Sequence, residues 1–227
     1  MRAGVFTASG EVRRDLLTGE PRFYVGLDLG KRQDHTAFAV IEQAPLLWRD
    51  EVDPVTRAPR REVRLFLRFL RRIPLMTPYP DVVEAARRVV ETPELRGRSS
   101  LVVDATGVGS PVVDLLRRAR LKCGIVPVMI TGGDGESSDG TVWHVPKRDL
   151  VVGLQVAFQK RWLQVSRGCS EAGVFRKELL GMRASVSETG YERYGGRGHD
   201  DLVMAAALAW WRVRRCWAGV EERGRLV

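Results

Sequence analysis

The chain is poor in the features that mark secreted, zinc-stapled or membrane proteins. Cysteine occurs three times, at Cys123, Cys169 and Cys216. These positions are widely spaced, odd in number and without a C-x-x-C pair, which argues against a disulfide framework or a structural zinc site. A reducing, intracellular setting is expected. No stretch approaches the roughly eighteen uninterrupted apolar residues of a membrane span, and Met1 to Asp15 lacks the apolar core of a signal peptide. A soluble, cytoplasmic protein follows as the expectation. The phosphate-cradling pattern G-x-x-x-x-G-K-[ST] is also missing, so this chain is not a nucleotide-driven motor alone. No unit repeats at a fixed period.

What the chain has in excess is positive charge. Lys plus Arg number 37 against 28 Asp plus Glu, a formal net charge of +9. That balance favours a polyanionic partner or a membrane surface over an acidic protein surface. Arginine greatly outnumbers lysine, and its planar guanidinium suits phosphate oxygens. The same bias also arises in a GC-rich genome or a thermophilic host.

Length and patterning give one α/β domain with elaborations. Residues 1–21 are mixed and weakly patterned and read as an arm or interdomain linker, with the main domain over 22–227. Tyr24 to Leu29 is a short apolar strand carrying Asp28, and Thr36 to Ile41 forms a second strand in a hairpin with it. Val63 to Ile73 alternates apolar residues with arginine, as a third strand does, and Trp48 to Arg61 reads as a polar loop. Asp81 to Val90 is helical in spacing, Leu101 to Asp104 is a buried central strand, and Ser110-Pro111 opens a helix through Arg120. Beyond these come a strand at Ile125 to Ile130, a glycine-rich loop at Thr131 to Gly140 and a helix at Lys147 to Trp162. A short edge strand at Leu163 to Ser166 precedes a helix at Glu171 to Met182. Ser185 to Gly198 reads as a β-hairpin flap, and Asp200 to about Arg215 as a strongly apolar last helix. The sum is a mixed sheet, three antiparallel strands followed by parallel ones, with helices on both faces.

Four acids stand where chemistry would be placed in such a sheet. Asp28 and Asp104 end two strands, and Asp200-Asp201 opens the last helix. Functional groups gather at the carboxyl ends of central strands in open α/β sheets, so Asp28 and Asp104 can share a crevice. Converging carboxylates repel unless a cation neutralises them, and all-oxygen ligands favour Mg²⁺ or Mn²⁺ over zinc. Two such ions about 4 Å apart hydrolyse a phosphodiester without a covalent intermediate. Each acid also has a plainer use: a strand-end Asp forms turns, and Asp200 or Asp201 caps the helix it precedes.

At these residues the chain resembles a family. Gly26-Leu27-Asp28-Leu29-Gly30 with Asp34-His35-Thr36-Ala37, then Val102-Val103-Asp104-Ala105-Thr106-Gly107-Val108-Gly109, then Gly198-His199-Asp200-Asp201-Leu202-Val203-Met204-Ala205 look like the three acidic motifs of the nucleases in tailed-phage terminase large subunits. The order and separations match, and the resemblance runs from about Phe23 to Trp211. It implies an RNase H-like fold related to Holliday-junction resolvases, binding two Mg²⁺ or Mn²⁺ ions and cutting double-stranded DNA during genome packaging in the host cytoplasm. Asp28 would bridge both ions, Asp104 would bind one, and Asp200 and Asp201 would complete the shell. The partners implied are a terminase ATPase domain, the portal and the small terminase subunit. Large terminases carry the ATPase motor ahead of the nuclease, and the missing phosphate loop marks a departure from that layout.

Other residues are candidates for DNA contact. Lys147 and Arg148 open a helix after the glycine-rich loop and suit phosphate, with solvated surface charge as their plainer use; Arg193 and Arg197 sit in the flap, where they would press on the DNA backbone. His199 would orient a water or a neighbouring carboxylate. Trp210 and Trp211 lie on an apolar helix and belong to the core or to a partner-facing surface. Rival functions are an actin-like ATPase, a Holliday-junction resolvase and a non-catalytic DNA-binding or assembly module of the same fold. The ATPase needs two halves and a second Gly-Gly phosphate loop, which Asp104-Ala105-Thr106-Gly107 does not supply.

Overall fold

A computed structural model describes residues 17–30, 34–52, 54–107, 109–186, 192–196 and 199–224. Eight strands form one twisted sheet. In chain order the elements are β1 (Arg22–Asp28), β2 (Ala37–Val52), β3 (Pro59–Arg72), α1 (Tyr79–Val90), β4 (Ser99–Asp104), α2 (Gly109–Arg118), β5 (Gly124–Thr131), β6 (Ser137–Ser138) and β7 (Trp143–Pro146). They continue with α3 (Lys147–Gln159), β8 (Leu163–Val165), α4 (Ala172–Gly181), β9 (Met182–Val186), β10 (Glu192–Gly196) and α5 (Asp201–Gly224). The strand order is β6-β7-β5-β4-β1-β2-β3-β8, with β9 and β10 as a separate antiparallel pair. The first three strands pair antiparallel, and β4, β5 and β7 add in parallel beside β1. This is the mixed sheet expected from the sequence, and β9–β10 is its hairpin.

Alternation along β1 explains why the sheet needs helices on both faces. Phe23, Val25 and Leu27 pack with α1 and α2, whereas Tyr24 joins the opposite core with α3 and α5. Successive strand residues point to opposite faces, so an almost wholly apolar strand must be covered twice. The longest covering element is α5, whose residues Leu202 through Trp211 are all buried. Its alanines matter as much as its tryptophans. Gly26 of β1 lies so close that an added Cβ would sit 1.8 Å from the Ala205 carbonyl oxygen. Small residues on both sides therefore let helix backbone rest directly on strand backbone.

Two local expectations change. The supposed polar loop from Trp48 to Arg61 is mostly strand, because β2 and β3 continue as a two-stranded ribbon with paired backbone from Leu47–Arg61 to Val52–Pro59. A ribbon of mostly polar residues has no apolar period to reveal it, and the turn is left only at its tip. The strand β7 was also hidden: four residues, Trp143-His144-Val145-Pro146, carry too little alternation to distinguish them from loop. Leu17 bridges Leu46 and the Thr18 N–H donates to the Pro45 carbonyl at 3.1 Å, so the end of the 1–21 segment continues the line of β1 along β2. Trp210 and Trp211 are core residues, each 1% exposed. No helix among the described residues is long and apolar enough to cross a membrane.

Candidate functional site

The parallel register sets Leu27 of β1 beside Val103 of β4, which makes Asp28 and Asp104 neighbours at the carboxyl ends of adjacent strands. The α5 helix starts at the same edge, bringing Asp200 and Asp201. Their convergence is visible in the electrostatics of Asp28. Its carboxyl is pushed well above the ordinary range by burial, then by the charges of Asp104, Asp201 and Asp200, with Lys147 opposing. Four acids drawn from three elements thus share one crevice, a costly arrangement without a counter-charge.

Each acid has a distinct setting. Asp104 Oδ1 accepts the Thr106 N–H at 2.8 Å, an Asx-type turn that fixes its side chain at the strand end. Asp200 Oδ2 lies 2.9 Å from Lys147 Nζ. Asp201 is 3% exposed. Its Oδ2 has Arg72 Nε at 3.3 Å and His199 Nδ1 at 3.8 Å, yet neither that oxygen nor Arg72 Nε makes a hydrogen bond among the described residues. Burial raises the Asp201 carboxyl, while Arg72 and His199 oppose the rise.

The capping role that sequence offered for Asp200 and Asp201 belongs to another residue. Glu178 of α4 reaches across, and its Oε2 accepts the Leu202 and Val203 N–H groups at 3.0 and 3.2 Å. These are first-turn amides of α5, the ones an N-cap side chain normally takes. With them satisfied from outside, the Asp200 and Asp201 carboxylates are available to the crevice. Glu178 also pairs with Arg72 through Oε1. Burial lifts its carboxyl to about 7 despite that pairing. Replacing Glu178 with Ala leaves two buried N–H groups and one guanidinium without their acceptor, at an expected cost of about 3 kcal/mol. Urea denaturation checks this, and a loss under about 1 kcal/mol would mean that another group takes over the cap.

Asp34, His199 and Asp201 form a second grouping, with ligand atoms all within 4.8 Å of one another. The His35 and His199 rings meet edge-on at 5.4 Å between centroids, and His35 Nδ1 lies 3.0 Å from the Ile73 carbonyl. Gly30 admits no side chain: a Cβ there would fall 2.1 Å from the Asp34 carbonyl oxygen. The Gly30 N–H is held by Thr36 Oγ1 at 3.1 Å. Asp34 lies on the side of the crevice already occupied by Asp201.

The basic candidates divide. Lys147 sits at the crevice, where its Nζ donates to Asp200 Oδ2. Arg148 faces Asp149 at 3.3 Å and the Asp134 carbonyl at 3.3 Å. Arg193 lies on β10 with its side chain outside the described residues, and Arg197 lies outside them altogether. Sequence reasoning missed Arg72 and Glu178 as parts of this site and reached Asp34 only as a member of a motif. Arg72 has a visible local signal, the end of an alternating strand, but nothing local predicts its partners about a hundred residues away.

The donor set fits divalent cations of the Mg²⁺ and Mn²⁺ class. It offers hard carboxylate oxygens, one of them buried and lacking a hydrogen bond, and mutual repulsion that a cation would relieve. No protein-family model and no curated protein matches the sequence. Solved structures do match. The large terminase nuclease from thermophilic phage G20c aligns over 87% of this chain and 85% of its own length, with a TM-score of 0.56 and 22% identity. The fold is that of the large-terminase nuclease domains. The same G20c nuclease with bound magnesium aligns with a TM-score of 0.55 and 23% identity, covering 87% of this chain and 84% of that one. A mutant nuclease domain of the large terminase subunit of bacterial virus Sf6, with manganese, aligns at a TM-score of 0.55 and 11% identity over 85% of this chain and 88% of its own. In this terminase-nuclease fold the acid crevice occupies the carboxyl ends of the central strands, the position where open α/β sheets gather their chemistry.

Proposed function

We propose that this chain is a metal-dependent endonuclease that hydrolyses double-stranded DNA, with Asp28, Asp104, Asp200 and Asp201 as the metal-holding and catalytic residues. One observation carries the proposal: four carboxylates converge at the strand ends, and the helix that bears two of them is capped by Glu178 instead. Neighbours of the same fold that hold magnesium and manganese support the choice of ion. Two ions there would supply Lewis-acid activation of water and stabilisation of the leaving oxygen.

The chain's own residues do the positioning. Asp28, whose carboxyl feels the charges of the other three acids, would help hold both ions; Asp104 is oriented by the Thr106 amide and would hold one. Asp200 and Asp201 would complete the shell, with Asp34 and His199 beside Asp201 as additional ligands or water-orienting groups. Lys147 tempers the negative field at Asp200 and would contact a phosphate of the bound DNA. Arg148, Arg193 and Arg197 would contact the DNA backbone. With a net charge of +9, binding should weaken steeply as salt rises. Residues 22–227 would form the nuclease unit. Its packaging partners would be an ATPase motor, the portal and the small terminase subunit; the alignment with the HK97 bacteriophage large terminase, at a TM-score of 0.50, spans 40% of that chain.

The test is cleavage of supercoiled plasmid by the purified chain with Mg²⁺, Mn²⁺ or EDTA, beside an Asp104→Ala variant. Nicking or linearisation that requires metal and vanishes in the variant is expected. DNA binding without cutting under either metal would overturn autonomous catalysis and leave a binding module. Strong preference for four-way junctions over linear duplex would reassign the enzyme as a resolvase.

A further inference from the structure

At the opposite end of β1 from the acids lies a cavity of about 480 Å³, within the size range of small-ligand sites. Its separation from the acid crevice can be read on two rulers. Phe23 to Asp28 is five strand residues, and Asp201 to Arg212 is eleven helical residues; each spans roughly 16 Å. The cavity therefore belongs to the amino ends of β1 and β4, where Phe23 pairs with Ser99, and to the later turns of α5.

Three arginines line it, Arg22, Arg98 and Arg212, against one acid, Glu20. Arg22 makes no ion pair among the described residues. Arg98 donates to the Pro93 carbonyl at 3.0 Å and stands 3.9 Å from the largely exposed Glu20 carboxylate, a loose pair that an incoming anion can displace. Arg22 and Arg212 both act on the Tyr24 hydroxyl electrostatically, which places two guanidinium groups around the same corner. Tyr24 itself donates to Gln43 Oε1 at 2.9 Å. Arg212, on the same face of the sheet as Tyr24, makes no hydrogen bond or ion pair among the described residues, and its Nε is buried without an acceptor. Guanidinium N–H groups in such a setting are normally satisfied, so Arg212, like Arg22, has its charge uncommitted beside the cavity.

We infer that this cavity is a second ligand site, taking a phosphate-bearing anion of up to nucleotide size on Arg22, Arg98 and Arg212. Guanidinium forks match phosphate oxygens, and the excess positive charge selects an anion. The site is independent of the acids and stands whether or not the chain cuts DNA. The phosphate has two sources, a free nucleotide or the terminus or backbone of a nucleic acid.

The experiment is calorimetric titration of the full chain in EDTA with inorganic phosphate, with a deoxynucleoside monophosphate and with a short duplex. EDTA removes any contribution of metal at the acid crevice. Phosphate and nucleotide should both bind, and the R22Q/R98Q and R212M variants should each weaken binding by about tenfold or more. Duplex that competes with nucleotide and loses affinity in the arginine variants supports a nucleic-acid source; nucleotide binding indifferent to duplex supports a free one. No binding of phosphate or nucleotide at millimolar concentration, or binding unaltered in variants that melt like wild type, overturns the site.

Discussion

Asp28→Asn is expected to abolish metal-dependent cleavage while making the metal-free protein more stable. Both effects come from one charge. Asp28 sits among three other carboxylates and is held above the usual range by burial and by their repulsion. Asparagine keeps the shape and removes the charge, so the metal-free fold is relieved of the repulsion it had borne. Melting should rise by about 2–4 °C for each kcal/mol relieved in a chain of this size. Cleavage should fall at least about a thousandfold, since a bridging ligand for the metals contributes several kcal/mol to the transition state. The pH dependence has a fixed sign. An acid whose folded pKa is raised keeps its proton in the folded state where the unfolded chain has lost it, so its stabilisation is present at low pH and disappears as pH rises. Asp28, Asp201 and Glu178 all shift upward, Glu178 to about 7 from its usual 4.5. Wild-type melting in EDTA should therefore decline between about pH 4 and 7, and Mg²⁺ or Mn²⁺ should restore it, most strongly at the upper end. Differential scanning fluorimetry across that range, with and without metal, measures both trends. An Asp28→Asn variant that melts below wild type in EDTA would show that the four acids are not in electrostatic conflict.

The parts of this site that were legible in the sequence are those where local position and chemistry coincide. An Asp that closes an apolar strand declares both its element and its place at the strand's end, so Asp28 and Asp104 could be set at neighbouring strand ends from the residues alone. Asp200 and Asp201 were legible as the start of the last helix, though sequence could not decide between capping and coordination. The cap itself comes from Glu178, which lies on another helix and looks in sequence like any charged residue on a helical face. Arg72 was hidden for the same reason: its links to Glu178 and Asp201 join β3 to α4 and α5 across more than a hundred residues. The fold was legible through its periodicities, apolar runs for central strands and spaced valines for α1. It failed on the β2–β3 ribbon, where charged residues such as Arg49, Asp50, Glu51, Arg60 and Arg61 erase the apolar period while the backbone pairing persists. The arginine-rich cavity left no pattern at all, because Arg22, Arg98 and Arg212 come from three separate parts of the chain.

The second large effect concerns a residue with no side chain. Gly26→Val is expected to destabilise the protein by about 3 kcal/mol or more and to remove cleavage as well. A Cβ at this position would lie 1.8 Å from the Ala205 carbonyl oxygen and 3.0 Å from the Ala209 amide nitrogen, so the clash is with the main chain of α5 and no rotamer relieves it. The helix must then shift away from β1. That shift carries Asp200 and Asp201 away from Asp28 and breaks the reach of Glu178 to the Leu202 and Val203 amides. Stability and metal binding are thus coupled through one backbone contact, and they should fall together. Even Gly26→Ala should show both losses, and a second change of Ala205→Gly should not rescue them, since it removes a methyl group that is not the obstacle. Equilibrium unfolding and Mn²⁺ titration of the two variants test this. A Gly26→Ala protein with normal stability and normal metal affinity would show that β1 and α5 are not in backbone contact and that the acids are positioned by some other element.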